Sequence, residues 1–152
     1  MATRNGSATW SGDLQTGSGE LTVGGGAGAW TSAYSGASRL HGVLPGFEQG
    51  PGTNPEELLA AAHAACFNMG LSYALTETGF TPRLLRTEAR VHLRYVDGAP
   101  TIQQIDLETE GEVPELDQDG FRERAEEAKT GCIISRALGG VKQINLSATL
   151  VS

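Results

Sequence analysis

The first third of the chain alternates short runs of strand-forming residues with glycine-rich turns. Three such runs lie at residues 7–13, 20–23 and 30–35, and residues 38–41 are expected to pair with the third as a further strand. Threonine, valine and aromatic residues bounded by glycine are typical of short strands. The glycines at 24–28 precede no amphipathic helix, so they are interpreted as a loop and not as a nucleotide-binding turn.

A long helix is predicted between residues 54 and 78. Asn54 suits the N-cap, Pro55 the first helical position, and Glu57 the third, where a capping box places a carboxylate. Residues 58–75 are apolar on nearly every side of the helix. A helix of this kind is expected to be buried on most of its faces.

The second half of the chain has the alternation of strands and the periodicity of amphipathic helices. Predicted strands lie at residues 84–97, 101–113 and 143–151, and predicted helices at 119–129 and 132–138. Asp97-Gly98 is a hairpin signal, so the first two of these strands are expected to pair antiparallel. The order of strands, buried helix, hairpin, helix pair and strand indicates one α+β domain over residues 1–152.

The net charge of the chain limits the classes of molecule that it is expected to bind. The formal net charge is −7, which argues against a basic face for nucleic acid or an anionic membrane. No run of about 18 apolar residues is present, so no membrane span is expected. The first residues lack the apolar core of a signal peptide. A cytoplasmic location is therefore predicted.

The two cysteines are Cys66 and Cys132, too far apart in sequence to form a Cys-X-X-Cys motif. They are either two buried, inert thiols or a pair that meets through tertiary folding. Cys66 lies in the apolar helix, where its pKa is expected to rise. Cys132 follows Gly131 and opens a helix, where the dipole lowers the pKa of a thiol, and Arg136 is four residues on. On these grounds alone, Cys132 is the better nucleophile.

Metal binding and a structural role are the two alternatives for the histidines. His63 and Cys66 are three residues apart on one helix face, a spacing that could hold zinc, but a structural zinc site needs four ligands. His41 and His92 lie in strand-like stretches without a paired cysteine. The sequence therefore predicts no metal and no cofactor, and His63 is expected to be a hydrogen-bonded core residue.

Residues 52–72 resemble the signature of the OsmC branch of the OsmC/Ohr family of organic hydroperoxide reductases. They contain Thr-Asn-Pro-Glu-Glu-Leu followed by Ala-His-Ala-Ala-Cys-Phe at the family's spacing. Cys132, within Lys-Thr-Gly-Cys-Ile-Ile-Ser, falls where that family places its partner cysteine. The resemblance implies an OsmC-like α+β fold in which antiparallel sheets wrap around two central cysteine-bearing helices. It also implies an intertwined homodimer with active sites along the interface.

The resemblance further implies thiol-dependent reduction of organic hydroperoxides in oxidative or osmotic stress defence. By position, Cys66 would be the peroxidatic thiol and Cys132 the resolving thiol, with an external dithiol as reductant. The family suggests a lipoyl protein for that reductant, and a thioredoxin system is the alternative. Glu56 resembles the family's acid, and Arg39 resembles its arginine. Together they would give Cys66 the charge that its helix lacks.

The placement of Glu56 raises a geometric question. Ten residues separate Glu56 from Cys66, about 15 Å along a straight helix. Either the helix begins after Glu56, or Arg39 and Glu56 reach Cys66 from the other subunit.

Two features depart from the family pattern: residues 43–51 look like an insertion, and Ile133 replaces a proline that often follows the second cysteine.

Two other functions remain open from the sequence. A non-enzymatic, stress-induced dimer that binds apolar ligands predicts ordinary thiol pKa values and no disulfide after peroxide exposure. A general thiol–disulfide reductase predicts insulin reduction without preference for peroxides. In the peroxidase interpretation, Phe67, Met69 and Leu40 suit an alkyl chain, and otherwise they are simply core residues.

Overall fold

A computed structural model describes residues 1–151 and divides the chain into two compact units, one ending at Leu58 and one beginning at Leu59. The first unit contains an antiparallel sheet in the order β1 (Gly6–Ser11), β2 (Ser18–Val23) and β3 (Trp30–Ser35). The three predicted strands are therefore confirmed. A short 3-10 turn at Gly26–Gly28 lies in the predicted glycine loop.

The prediction of a strand at residues 38–41 is wrong, because helix α1 (Gly36–Leu40) occupies this position. The side chains explain the difference. The Ser35 hydroxyl accepts from the backbone N–H of Ser38 at 3.0 Å, and the Ser38 hydroxyl accepts from the N–H of Ser35 at 2.9 Å. This reciprocal capping box starts a helix where the pattern of side chains suggested a strand.

Helix α2 (Pro55–Glu77) begins as predicted. The backbone N–H of Glu57 donates to the Asn54 side chain at 2.9 Å, which confirms the N-cap. The Glu57 carboxylate does not complete a capping box as expected but accepts from the hydroxyl of Thr53 at 2.9 Å. In either arrangement, Glu57 has a structural role at the helix start.

Only one face of α2 is buried, so the expectation of burial on most faces is wrong for a single chain. The buried residues repeat every four positions: His63, Phe67, Leu71 and Leu75. The other side carries small and apolar residues that are exposed: Ala61, Ala62, Ala65, Met69 and Tyr73. Met69 and Tyr73 are each 68% exposed. An apolar surface of this kind on a helix is an interaction surface in many proteins.

α2 is also long and apolar enough to cross a membrane, judged by length and composition alone. No such segment is expected from the sequence. The core helices of water-soluble folds meet the same criteria, and the buried face of α2 packs in the core of the second unit. The finding is therefore weak evidence for a membrane protein.

The second unit contains the sheet β4 (Leu84–Val96), β5 (Ala99–Glu112) and β6 (Gln143–Leu150), with helices α3 (Gln118–Gly131) and α4 (Ile133–Ala137) between β5 and β6. β4 and β5 pair antiparallel across a turn in which Asp97 and Gly98 have φ values of 50° and 85°, as predicted. β6, however, pairs with β5 in parallel. The expectation of purely antiparallel sheets is corrected here, because α3 and α4 form the crossover connection that parallel neighbours require.

The core of the second unit lies between its sheet and the buried faces of α2 and α3. Its fully buried members are Phe67, Leu71, Leu75, Leu107, Val113, Phe121, Ala125 and Ala128. These residues come from α2, β5 and its end, and α3. Phe67 and Leu71, which follow Cys66 on α2, are thus fixed by packing, which holds the position of the helix turn that carries the thiol.

Gly111 on β5 gives a direct test of this packing. A β-carbon at Gly111 would overlap the ring of Phe121 on α3, whereas one at Gly131 would meet nothing within 4 Å. We expect Gly111→Ala to lower the free energy of unfolding by about 1–3 kcal/mol, because overpacking forces core atoms apart. Gly131→Ala is the matched control and should change it by less than about 0.5 kcal/mol. Urea denaturation measures both, and equal stability of the two variants would contradict the packing described here.

Candidate active site

The two cysteines lie in contact within the second unit. Cys66 is in the middle of α2, and Cys132 occupies the junction where α3 ends and α4 begins. The Cys66 side chain lies close enough to Cys132 to help lower the pKa of that thiol, and both cysteines are free. Cys132 is only 3% exposed, whereas Cys66 is half-buried. Cys66 is therefore the more exposed of the two cysteines.

Several hydrogen bonds stabilise the thiolate form of Cys132. Burial by itself raises the pKa of this thiol, but the backbone N–H of Ser135, the Cys66 side chain and the Ser135 hydroxyl together outweigh burial. The N–H of Ile134 adds to them, and the pKa of Cys132 lies below its usual value. The prediction of a lowered pKa at this helix start is confirmed, with direct donors as the physical cause.

His63 is completely buried and holds Ser135. Its Nε2 lies 2.7 Å from the Ser135 hydroxyl, which itself contacts Cys132. Burial lowers the pKa of His63, so the ring is neutral at neutral pH. His63 is thus a hydrogen-bonded core residue, as predicted. Ser135 was not singled out by the sequence analysis, although its position three residues after Cys132, at the start of a helix, is one from which a hydroxyl can reach the thiol.

Arg39 and Glu56 pair with each other inside the first unit. Nε and Nη2 of Arg39 donate to Oε1 of Glu56 at 3.1 and 2.8 Å, and Nε also lies 3.2 Å from Oε2. The Glu56 side chain is 11% exposed and that of Arg39 is 46% exposed. The pair fixes one edge of the guanidinium and leaves Nη1 without an acceptor among residues 1–151. Glu56, and not the capping residue Glu57, is thus the arginine's partner, as expected.

The backbone around this pair is tied together locally. The Ser38 hydroxyl donates to the carbonyl of Thr53 at 2.8 Å, and the Asn54 side chain donates to the carbonyl of Ser38 at 3.0 Å. These bonds join α1, which carries Arg39, to the start of α2, which carries Glu56. Residues 43–51 lie in the connection between the two helices.

One of the two explanations for the position of Glu56 is wrong. α2 is helical from Pro55 through Glu77, so the helix does not begin after Glu56. Ten helical residues, about 15 Å, separate Glu56 from Cys66 in the same chain. The remaining explanation, delivery of the pair by another subunit, stays a prediction.

The other residues that the sequence analysis named lie at separate places in the structure. Phe67 and Leu40 are buried, whereas Met69 is exposed. His92 contacts Asp106 at 2.7 Å on the sheet of the second unit, and His41 lies 3.3 Å from the carbonyl of Phe47. Within residues 1–151, no group of three or more His, Cys, Asp and Glu side chains could hold a metal ion.

Two neighbouring thiols, one half-buried and one buried, form an arrangement that could make and break a disulfide. Comparison with known proteins gives the family. The model of the family described as OsmC-like protein matches residues 47–147. Peroxiredoxin OsmC of Escherichia coli is 42% identical over 137 residues, which cover 89% of each chain, and that of Shigella flexneri matches equally. This chain belongs to the OsmC-like family.

Solved structures agree on the fold. The organic hydroperoxide resistance protein OhrB of Bacillus subtilis has a TM-score of 0.67 at 24% identity, covering 97% of this chain and 98% of its own. An organic hydroperoxide resistance protein from Elizabethkingia anophelis has a TM-score of 0.71 at 20% identity, covering 100% and 97%. The predicted OsmC-like α+β fold is confirmed.

Proposed function

We propose that the chain reduces organic hydroperoxides to alcohols, with Cys66 as the thiol that attacks the peroxide and Cys132 as the thiol that resolves the product. Its family and a peroxiredoxin relative at 42% identity make it a peroxidase of peroxide stress defence. The preference for organic peroxides is supported by fold relatives that are named organic hydroperoxide resistance proteins.

The observation that carries the proposal is the unequal exposure of two thiols in contact. Cys66 is the accessible sulfur, and the buried Cys132 contacts it. The Cys66 thiolate attacks the outer oxygen of the peroxide, the O–O bond breaks, and an alcohol leaves after taking up a proton. The sulfur is left as a sulfenic acid next to Cys132.

The second half of the cycle uses this proximity. The sulfur of Cys132 attacks the sulfenic sulfur, an S–S bond forms, and the hydroxyl group leaves as water. An external dithiol then reduces the disulfide by exchange and is itself oxidised. A protein-bound lipoyl group, which carries two thiols on one short chain, suits this step, and a thioredoxin is the alternative.

We further propose that the chain acts as an intertwined homodimer in which Arg39 and Glu56 of one protomer face Cys66 of its partner. Within one chain, about 15 Å of helix lies between Glu56 and Cys66. The exposed apolar side of α2, with Met69 and Tyr73, supports burial against a second copy. The free edge of the Arg39 guanidinium would then stabilise the thiolate of Cys66, and Glu56 would fix the orientation of the guanidinium.

The predicted cytoplasmic, reducing location suits a cycle that ends in thiol reduction.

A peroxidase assay tests the proposed function. The protein is mixed with cumene hydroperoxide or tert-butyl hydroperoxide and dithiothreitol, and peroxide consumption is compared with that of hydrogen peroxide. The proposal expects faster consumption of the organic peroxides. A protein that binds apolar ligands but forms no disulfide with peroxide would instead be the non-enzymatic dimer. Insulin reduction without peroxide preference would indicate a general reductase.

The Cys132→Ser variant separates the two steps. It should form the Cys66 sulfenic acid at an unchanged rate but lack the thiol that converts it to a disulfide. Without added thiol, the variant should therefore consume one equivalent of peroxide and keep the sulfenic acid, which dimedone should trap and mass spectrometry should locate, whereas the wild type should form the Cys66–Cys132 disulfide. Equal trapping of sulfenic acid in the wild type and in Cys132→Ser would contradict the resolving role.

A further inference from the structure

Two side chains of the first unit join the segments that carry Arg39 and Glu56. The Ser38 hydroxyl donates to the carbonyl of Thr53 at 2.8 Å. The Asn54 amide donates to the carbonyl of Ser38 at 3.0 Å, while its oxygen caps α2. In both bonds, a side chain of one segment binds the backbone of the other. The two bonds therefore form a clasp between α1 and the start of α2.

The α2 side of this clasp is attached to the first sheet. The backbone N–H of Thr53 donates to the carbonyl of Ala33 at 3.0 Å, and Thr53 also forms a bridge with Tyr34 of β3. The preceding Gly52 has a φ of 97°, and a β-carbon there would lie 2.5 Å from the carbonyl oxygen of Ala33. Glycine fits this backbone and this close approach. Residue 53 is thus held on β3, and the clasp holds α1 on residue 53.

The ion pair between Arg39 and Glu56 depends on such a support. α1 has only five residues, and a helix of that length is not stable by itself. The Arg39 side chain is 46% exposed, and pairs that involve exposed side chains are weak because the side chains lose rotamer freedom. When the backbone at both residues is fixed, fewer conformations remain in which Nε and Nη2 do not face the carboxylate.

A purely local role for Ser38 does not account for the clasp. Ser38 accepts from the N–H of Ser35 at 2.9 Å, and the Ser35 hydroxyl accepts from the N–H of Ser38 at 3.0 Å. The Ser38 hydroxyl also lies 3.0 Å from the carbonyl of Ser35, but the carbonyl of Thr53 is nearer. The capping box explains how α1 begins. It does not explain bonds to residues 15 and 16 positions further along the chain.

We propose that Ser38 is a positioning residue for Arg39, which clasps the start of α2 so that the pair with Glu56 holds the guanidinium in one orientation. The edge that carries Nη1 has no acceptor within residues 1–151, so the opposite edge and the backbone beneath it set its direction. The inference rests on the proposed function, in which this free edge stabilises the Cys66 thiolate. It adds the residues that preorganise the edge for that role.

The first test compares Ser38→Ala with Ser35→Ala in a stopped-flow measurement of sulfenic acid formation at neutral pH. Ser38→Ala removes the bond to Thr53 together with its half of the capping box, whereas Ser35→Ala removes only the other half of the box. Ser38→Ala should slow the attack on cumene hydroperoxide about twofold to tenfold, the loss expected for one hydrogen bond. Ser35→Ala should react at close to the wild-type rate, and Ser38→Thr, which keeps the hydroxyl, should restore it. An unchanged rate in Ser38→Ala, or equal slowing in Ser38→Ala and Ser35→Ala, would overturn the proposal.

A second comparison separates action through Arg39 from a general weakening of the fold. In an Arg39→Ala background, Ser38→Ala should cause no further slowing, because the group that it positions is already absent. Slowing by the same factor in both backgrounds would show that Ser38 acts independently of the arginine and would end the proposal.

Asn54→Ser keeps the test decisive if Ser38→Ala does not fold. Serine keeps an oxygen that can cap α2 but lacks the amide that donates to the carbonyl of Ser38. It should slow the attack by a similar factor, again only when Arg39 is present, and a wild-type rate would count against the clasp. If Arg39→Ala itself reacts at the wild-type rate, the role proposed for the arginine fails, and if the wild type forms no sulfenic acid at Cys66, the proposed function fails. Both results are distinct from a failure of the clasp.

Discussion

Replacing Cys66 with serine is expected to reduce hydroperoxide turnover by at least about a thousandfold, because the group that forms the covalent intermediate is lost. A serine hydroxyl is far less acidic than a thiol and cannot form a sulfenic acid. The change is small in volume, and Cys66 is only half-buried, so the helix should keep its packing on Phe67 and Leu71. Steady-state consumption of cumene hydroperoxide with dithiothreitol measures the loss, and circular dichroism checks the fold.

Cys132→Ser is the matched control, since it makes the same chemical change in the other thiol of the contact. It should still consume one equivalent of peroxide, whereas Cys66→Ser should consume none. Full turnover in Cys66→Ser would end the peroxidatic role of this residue. If Cys66→Ser reacted once and Cys132→Ser did not, the two roles would be exchanged, as the local helix settings alone had indicated.

Removing the guanidinium of Arg39 is expected to have the second largest effect. An opposite charge beside a thiol lowers its pKa by about 1–3 units, so Arg39→Ala should slow the attack on peroxide about tenfold to a thousandfold at neutral pH. The loss should shrink at alkaline pH, where a thiol ionises without a neighbouring cation. Arg39→Lys keeps the charge but not the two-point contact with Glu56, and it should fall between the wild type and Arg39→Ala. Stopped-flow measurement of sulfenic acid formation over pH gives the comparison.

Mixed dimers show whether Arg39 acts across the subunit interface. Arg39→Ala and Cys66→Ser protomers, coexpressed with different tags, form a dimer in which one chain keeps the thiol and the other keeps the arginine. If the arginine serves the partner's thiol, one of the two sites is complete, and about half of the wild-type activity should return. If it serves its own chain, neither site is complete, and the mixed dimer, which keeps a single thiol without its arginine, should be no more active than Arg39→Ala. A protein that remains monomeric at all concentrations would contradict the proposed assembly directly.

Much of the fold could be predicted because local chemistry and tertiary structure agree. Asn54 caps α2, Asp97-Gly98 turns the hairpin, and Gly131 ends α3, each for a reason visible in the adjacent residues. Two features could not be predicted from such signals. The helix at residues 36–40 depends on a pair of serines in a capping box, and the parallel pairing of β6 depends on where the crossover places it.

The site divides in the same way. The burial of His63 and the lowered pKa of Cys132 followed from the type of residue and its position in a helix. Cys66 and Cys132 are far apart in sequence, so their proximity depends on the tertiary fold. Ser135 is one of many serines in the sequence, and nothing in its local pattern indicates that the fold places it near Cys132. The sequence predicts the apolar character of α2 correctly, but it also predicts burial on most faces. In a single chain, Met69 and Tyr73 of this helix are exposed. An apolar sequence pattern predicts that a surface is buried, but it does not show whether the same chain or another molecule buries it.

The positions of the two thiols in the sequence determine how much a disulfide between them would stabilise the fold. Between Cys66 on α2 and Cys132 after α3 lie the whole β4–β5 hairpin and all of α3. A covalent link there would close a loop around most of the second unit and would remove much of the freedom of its unfolded state, a contribution of about 4 kcal/mol in chain-entropy terms. The oxidised form would therefore resist heat better than the reduced one. The protein would be most resistant to denaturation once the disulfide has formed after peroxide is consumed, and reduction would return it to a less stable resting state.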